Sequence, residues 1–303
     1  MTNTTATAAA TSDIALPAHI AFLGLGSMAG AIMQGLLATR DAAAPPLKCT
    51  TKSAASAAQY EAVAGISVTS VEQHSEANRD AVRQAELVVL GVKPWGIVET
   101  LTEIAAELRP GAVVVSVAAG VPLAKMREAL RQRPDVRLVR AMPNTPALIG
   151  KGVTGIAVEH LPAAVASGQG ADPGAQAAAV ATALFSAVGE VVVVPETQID
   201  ALSTVSGSGP AYLFWFVEQL TAAAERLGFE PETATVLAQN TVIGAAQLLE
   251  QGSKTAAEQR AAVTSPNGTT ERALQAFNAA DPEAMFDRAL AAALQRAAEI
   301  AAA

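Results

Sequence analysis

The sequence predicts a doubly wound, mostly parallel α/β sheet followed by an all-α domain. Three observations carry this reading. Up to Pro195, short Val/Ile/Leu-rich runs alternate with helical stretches. From Thr197 onward long helical patterns dominate and strand-like runs almost vanish. A glycine-rich turn joins the first strand to the first helix. The domain boundary therefore falls near Pro195, with residues 18–195 as the sheet domain and 196–303 as the helical one.

Residues 1–17 are rich in Thr and Ala, with neither a basic start nor a long apolar core, and are expected to be a disordered tail rather than a leader peptide. His19–Leu23, Leu47–Thr51, Leu87–Val92, Ala112–Val117, Arg137–Met142, Val153–Val158 and Glu190–Val194 read as strands. Most are the near-continuous apolar runs expected where both faces of a parallel sheet are covered. Ser27–Thr39, Ala54–Ala62, Trp95–Glu107 and Leu123–Leu130 read as the intervening helices, and Gly168–Gly174 as a loop. Beyond the boundary, Asp200–Leu227, Glu232–Glu250, Thr255–Val263, Thr269–Asn278 and Pro282–Ala302 read as helices. Ser206-Gly207-Ser208-Gly209-Pro210-Ala211 should break or kink the first of these. Its small residues fit a tight helix crossing or direct contact with a substrate.

A chain of 303 residues is long enough for two domains with sizeable cores. A net charge of −8 without a basic stripe argues against nucleic acid. No apolar run approaches the ~20 residues that span a bilayer. The lone Cys49 excludes an internal disulfide and fits a reducing cytoplasm.

The glycine turn is Gly24-Leu25-Gly26-Ser27-Met28-Ala29, a G-x-G-x-x-A pattern between a strand and a helix. Gly24 permits the tight turn, Gly26 lets a pyrophosphate approach the backbone, and Ala29 keeps helix and strand close. This is the Rossmann fingerprint of a dinucleotide site. A site for NAD(H) carries Asp or Glu at the end of the second strand. Here that place reads Lys48-Cys49-Thr50-Thr51-Lys52-Ser53, with cations and hydroxyls and no carboxylate. Thr51, Lys52 and Ser53 suit a 2′-phosphate, so NADP(H) is preferred and NAD(H) is the lesser option.

Val92-Lys93-Pro94 ends the third run, where ligands of open α/β sheets lie, and Pro94 can open the next helix. Ala118 and Ala119 end the following strand with small side chains that leave room for a nicotinamide ribose. Either segment, taken alone, is also ordinary strand-end chemistry. Arg140-Ala141-Met142-Pro143-Asn144-Thr145-Pro146 reads equally as a wall of the nicotinamide pocket or as a rigid loop.

In the helical half, Thr264-Ser265-Pro266-Asn267-Gly268-Thr269-Thr270 packs hydroxyls and free N–H groups into a loop that opens a helix, a ready site for a carboxylate. No histidine makes a convincing acid or base: His19 lies at the first strand, His74 in a polar helix and His160 in a loop beside Pro162. No Ser/His/Asp order and no metal-ligand spacing stands out. Hydride delivery to a small carboxylate substrate is the chemistry left.

Gly24–Ala29, Val92-Lys93-Pro94, Met142–Pro146, Leu202–Ala211 and Thr264–Thr270 occur in the order seen in pyrroline-5-carboxylate reductases, and the chain resembles that family from about Ile20 to Phe277. Thr264–Thr270 resembles its signature Ser-Pro-Gly-Gly-Thr-Thr, with Asn267 in place of the first paired glycine. Asn is the non-glycine residue best able to take a positive φ, so the loop shape should be kept. The resemblance implies NAD(P)H-dependent reduction of 1-pyrroline-5-carboxylate to L-proline. It implies a Rossmann domain followed by a substrate-binding and dimerisation domain, with dimers that assemble further into rings. It implies that Ser265, Asn267, Gly268 and Thr269 hold the substrate carboxylate, that Thr270 meets the ring nitrogen, and that Thr51 and Asn78 contact the adenosine part of the cofactor. Two rivals remain. A β-hydroxyacid dehydrogenase would carry a catalytic lysine within Ser206–Leu227, and none is there. A non-catalytic NADP-binding regulator would not need the Thr264–Thr270 loop.

Overall fold

The computed structural model describes residues 16–159 and 172–302. Most of the expected tail, His160, Pro162 and the first part of the Gly168–Gly174 loop lie outside the described residues. Contacts divide the chain into two units, Met1–Gly207 with Ala297–Ala303, and Ser208–Arg296.

The first unit is built on one eight-stranded sheet. Its strands are β1 (Ile20–Leu23), β2 (Leu47–Thr51), β3 (Ile66–Ser70), β4 (Leu87–Leu90), β5 (Val113–Ser116), β6 (Arg137–Met142), β7 (Gly152–Val158) and β8 (Gly189–Val193). Their order is β3-β2-β1-β4-β5-β6-β7-β8. Every neighbouring pair is parallel except β6 with β7. This is the doubly wound, mostly parallel sheet expected. The order reverses at β1, between β2 and β4, and that switch point is where such sheets bind ligands.

Helices α1 (Ser27–Thr39), α2 (Ala54–Ala58), α3 (Ala77–Val82), α4 (Ile97–Ile104), α5 (Leu123–Ala129) and α6 (Pro173–Ser186) connect the strands, and α7 (Ile199–Leu202) follows β8. Alternate residues of each strand face opposite sides of the sheet. Ile20, Phe22, Val89, Val115 and Val139 thus join Ile32, Met33 and Leu36 of α1 and Leu184 and Phe185 of α6 in one core. Ala21, Leu23, Val88, Leu90, Val114 and Leu138 join Val82, Ile97, Leu101 and Met126 in the other. Burying each large side chain among these contributes about 1.5–3 kcal/mol.

The structure corrects the sequence reading at four places. Ile66–Ser70 is a strand, Ala77–Val82 a helix and Pro173–Ser186 a helix capped by Asp172, which accepts from the Gly174 N–H at 3.0 Å. Pro173 and Gly174, expected in a loop, are therefore helical. His74 is not in a helix. It lies before α3 and pairs with Asp80, Nε2 to Oδ2 at 2.7 Å.

The expected break in Asp200–Leu227 is present: α7 is followed by a π-helical turn, Ser203–Gly207. The second unit then holds α8 (Gly209–Arg226), α9 (Pro231–Glu250), α10 (Ala256–Ala262) and α11 (Thr269–Ala279), and α12 (Pro282–Ala302) begins there. Thr255 and Glu258 close a capping box before α10. The α8 helix buries none of its residues, although it carries Leu213, Phe214, Trp215 and Phe216. The only buried residues of α9 are Ala234 and Ala238. Among the described residues no helix is long and apolar enough to cross a membrane.

Candidate active site

At the switch point, Gly24 has φ +80° and an added Cβ would stand 2.6 Å from Val92 Cγ1, so only glycine serves there. The turn is held from β2. The Gly24 N–H donates to the Thr50 carbonyl at 3.1 Å and to Thr50 Oγ1 at 3.2 Å, and the Leu25 N–H donates to the same carbonyl at 2.8 Å. Thr50 Oγ1 donates in turn to Asn78 Oδ1 at 2.8 Å, and Asn78 Nδ2 donates to Glu103 Oε2 at 3.0 Å. Asn78 is 7% exposed and works inside the protein, bracing the glycine turn through Thr50.

Gly26 and Ser27 are exposed, Met28 is half-buried, and Leu25 and Ala29 are buried. Nothing lies within 4 Å of a Cβ placed on Gly26. Helix α1 has no side-chain cap and no acidic residue in its first turn. Open space over free N–H groups at the positive end of a 13-residue helix fits a pyrophosphate. Ala29 Cβ stands 2.5 Å from where a Cβ on Gly91 would be, so the α1–β4 packing uses both small residues.

At the end of β2, Thr51 is buried and its Oγ1 donates to the Ser53 carbonyl at 3.0 Å. Ser53 caps α2, accepting from the Ser56 N–H at 3.2 Å. Lys52 is exposed. Glu72, which the sequence reading overlooked, arrives from the end of β3, and its Oε2 accepts from the Ala54 N–H at 2.9 Å. Because β3 itself was not anticipated, nothing in the spacing pointed to this carboxylate. Lys93 and Pro94 are exposed beside half-buried Val92, and Pro94 opens a 3₁₀ turn before α4. At the end of β5, Ala118 is buried and Ala119 exposed, and Ile300 of α12 packs on Gly120.

Asn144 closes the other end. Its Oδ1 accepts from the Val153 N–H at 2.9 Å and its Nδ2 donates to the Ser206 carbonyl at 3.0 Å. The π-helical turn is thereby tied to the end of β6. Arg140, 4% exposed, strengthens the tie through Asp200 at 2.5 Å and Glu196 at 3.6 Å. Segments of this kind recur at functional sites.

In the second unit, the Gly268 N–H donates to the Ser265 carbonyl at 3.0 Å and closes a turn in which Asn267 has φ 59°. Asparagine thus takes the positive φ that a glycine would take there. A Cβ on Gly268 would stand 2.5 Å from Ser265 Oγ, so that glycine lets the Ser265 hydroxyl approach the helix start. Helix α11 has no side-chain cap. The Glu271 carboxylate instead accepts from the Asn267 N–H at 2.9 Å. Ser265 and Thr269 are exposed and Thr270 is half-buried. Thr264 spends its hydroxyl on the Arg260 carbonyl at 2.7 Å.

The Rossmann sheet with an open pyrophosphate cradle defines a dinucleotide-dependent oxidoreductase. Residues 196–300 match the family described as pyrroline-5-carboxylate reductase dimerisation, and residues 19–120 match the NADP oxidoreductase family described as coenzyme F420-dependent. The chain is 40% identical over 283 residues to a pyrroline-5-carboxylate reductase of Pseudomonas aeruginosa, covering 93% of this chain and 97% of that one. It is 33% identical to that of Methanosarcina acetivorans, with the same coverage. The solved pyrroline-5-carboxylate reductase of Coxiella burnetii superposes with a TM-score of 0.80 at 34% identity, over 93% of this chain and 98% of its own. The NADP-bound enzyme of Plasmodium falciparum, at 21% identity and a TM-score of 0.71, shares the fold over the same fractions. The chain belongs to the pyrroline-5-carboxylate reductase family.

Proposed function

We propose that the Ser265–Thr270 loop binds the substrate of this reductase. Ser265 Oγ and the N–H groups of Thr269 and Thr270 hold the carboxylate of 1-pyrroline-5-carboxylate beside the turn shaped by Asn267 and Gly268, and Thr270 Oγ1 hydrogen-bonds the ring nitrogen. The uncapped start of α11 and the close Ser265–Gly268 approach support this reading. The chain is an NAD(P)H-dependent oxidoreductase that converts the cyclic imine to L-proline, the last step of proline biosynthesis.

NADP(H), when bound, supplies the hydride that turns the C=N bond into CH–NH. The protonated imine is already electron-poor, so the protein needs no strong acid. Orientation is the main contribution asked of its residues. Thr270 keeps the ring nitrogen in place and accepts from its N–H, and the loop fixes the carboxylate so that one face of the ring is presented. On the cofactor side, Gly24, Leu25, Gly26, Ser27, Met28 and Ala29 receive the pyrophosphate. Thr51, Lys52 and Ser53 form the adenosine-phosphate side, with Asn78 acting through Thr50. Val92, Lys93 and Pro94 flank the crevice, while Ala118, Ala119 and Asn144 shape the nicotinamide end.

The protein self-associates through the dimerisation region, residues 196–300. The bare apolar surface of α8 supports a homodimer, and rings of dimers are the further step that family membership favours. We place the protein in the cytoplasm, where its single thiol stays reduced.

The observation that carries the reading is the open space over Gly26 at the uncapped start of α1. The test is NADPH oxidation by the purified chain. NADPH oxidation is expected with 1-pyrroline-5-carboxylate, and no NADP+ reduction with a 3-hydroxy acid; NADP+ reduction by the hydroxy acid without NADPH oxidation by the imine would overturn the reading.

A further inference from the structure

Trp95 stands in the turn after β4 and is 76% exposed, a state uncommon for an indole. Lys52, from the end of β2, brings Nζ to 6.0 Å from the centroid of that ring. The strand order β2-β1-β4 means that these side chains come from opposite sides of β1 and meet beside the end that carries the glycine turn. Glu72 is the nearby acid, and its carboxylate already accepts from the Ala54 N–H. An open indole face with a cation over it, next to a pyrophosphate cradle, is the chemistry that recognises a phosphorylated purine nucleoside. A flat base stacks on the ring, and the ammonium meets a ribose phosphate.

We propose that Trp95 is the platform for the adenine ring of the cofactor and that it holds Lys52 in reach of the 2′-phosphate. Trp95 is thereby a specificity-determining residue. Its ring serves both cofactors by stacking, and it favours NADPH by placing the cation. The proposal rests on the dinucleotide-reductase reading and adds a residue whose part that reading leaves open.

The experiment uses the full chain, with 2′,5′-ADP, 5′-AMP and NADPH as probes, followed by calorimetry and by tryptophan emission. The chain has two tryptophans, Trp95 and Trp215, so Trp95→Leu isolates the signal. Trp95 is exposed, and an unchanged melting temperature shows that the variant folds. Both nucleotides are expected to quench emission in the wild type. Trp95→Leu should abolish the quench and weaken both by about tenfold or more. Lys52→Met should weaken 2′,5′-ADP and leave 5′-AMP as in the wild type. If the wild type binds NADPH while Trp95→Leu binds both probes with unchanged affinity or keeps the quench, the platform is overturned and the reductase reading stands. If the wild type binds neither NADPH nor 2′,5′-ADP, both fall.

Discussion

Thr270 and Cys49 show how differently two small polar side chains are used. Thr270 is half-buried at the start of α11, and its proposed task is one hydrogen bond to a charged ring nitrogen. Thr270→Val keeps the shape and removes the hydroxyl. A loss of about 1.5–3 kcal/mol is expected, roughly tenfold to a hundredfold in kcat/KM, with NADPH affinity unchanged. Wild-type kinetics would mean that the loop serves structure and not chemistry. Cys49 lies in the sheet core, and burial pushes its thiol up to about 12. Near pH 8 a disulfide reagent should therefore label it only as fast as the fold opens, and much faster in urea. The sign for stability follows. Above about 8.5 the unfolded chain ionises this thiol while the folded chain does not, so this residue's share of stability falls as pH rises towards 12. Asn267 was legible in advance, because a positive φ leaves few side chains to choose from. The inward work of Asn78 and Asn144 was not. A carboxamide looks the same in a sequence whether it faces a ligand or braces a loop, and only the partners Thr50, Glu103, Val153 and Ser206 distinguish the two.

Among the elements, β1, β4 and β5 were readable because strands covered on both faces become unbroken apolar runs. The edge strand β3, Ile-Ser-Val-Thr-Ser, has one polar row and so lacks that signal. Helix α3 carries Asn78, Arg79 and Asp80 in a short stretch with little apolar periodicity. Missing β3 hid Glu72, because a carboxylate at the end of an unrecognised strand has no address. Gly91, at the α1–β4 contact, and Gly26, which faces open space at the start of α1, allow a paired test at this scale. Gly91→Ala would place a Cβ 2.5 Å from Ala29 Cβ and 2.7 Å from the Gly24 carbonyl oxygen. It should cost about 1–3 kcal/mol in urea unfolding and weaken NADPH as well. Gly26→Ala meets no protein atom, so its unfolding midpoint should stay close to wild type while NADPH binding weakens. Equal stability losses in the two variants would contradict this division between packing and ligand space.

For the whole molecule, the bare surface of α8 and α9 decides the expected assembly. An 18-residue helix that packs on α9 yet buries none of its own residues leaves much apolar surface uncovered within its own subunit. Sedimentation should therefore show a dimer at micromolar protein. The melting temperature should rise with concentration, as mass action requires when a partner completes the fold. A fully active monomer would contradict it. Substituting Phe214 and Trp215 by serine should move the equilibrium towards monomer.

Contacts assign Ala297–Ala303 to the sheet unit, although everything from Ser208 to Arg296 intervenes in the chain. Ile300, near the end of α12, covers Gly120 at the carboxyl end of β5. On a ribosome, residues emerge in order. The nucleotide domain therefore lacks Ile300 over Gly120 until the whole helical segment has been translated. Birth order and fold order differ in this chain, and a nascent protein halted before Ile300 would carry a complete set of strands without its last piece of cover.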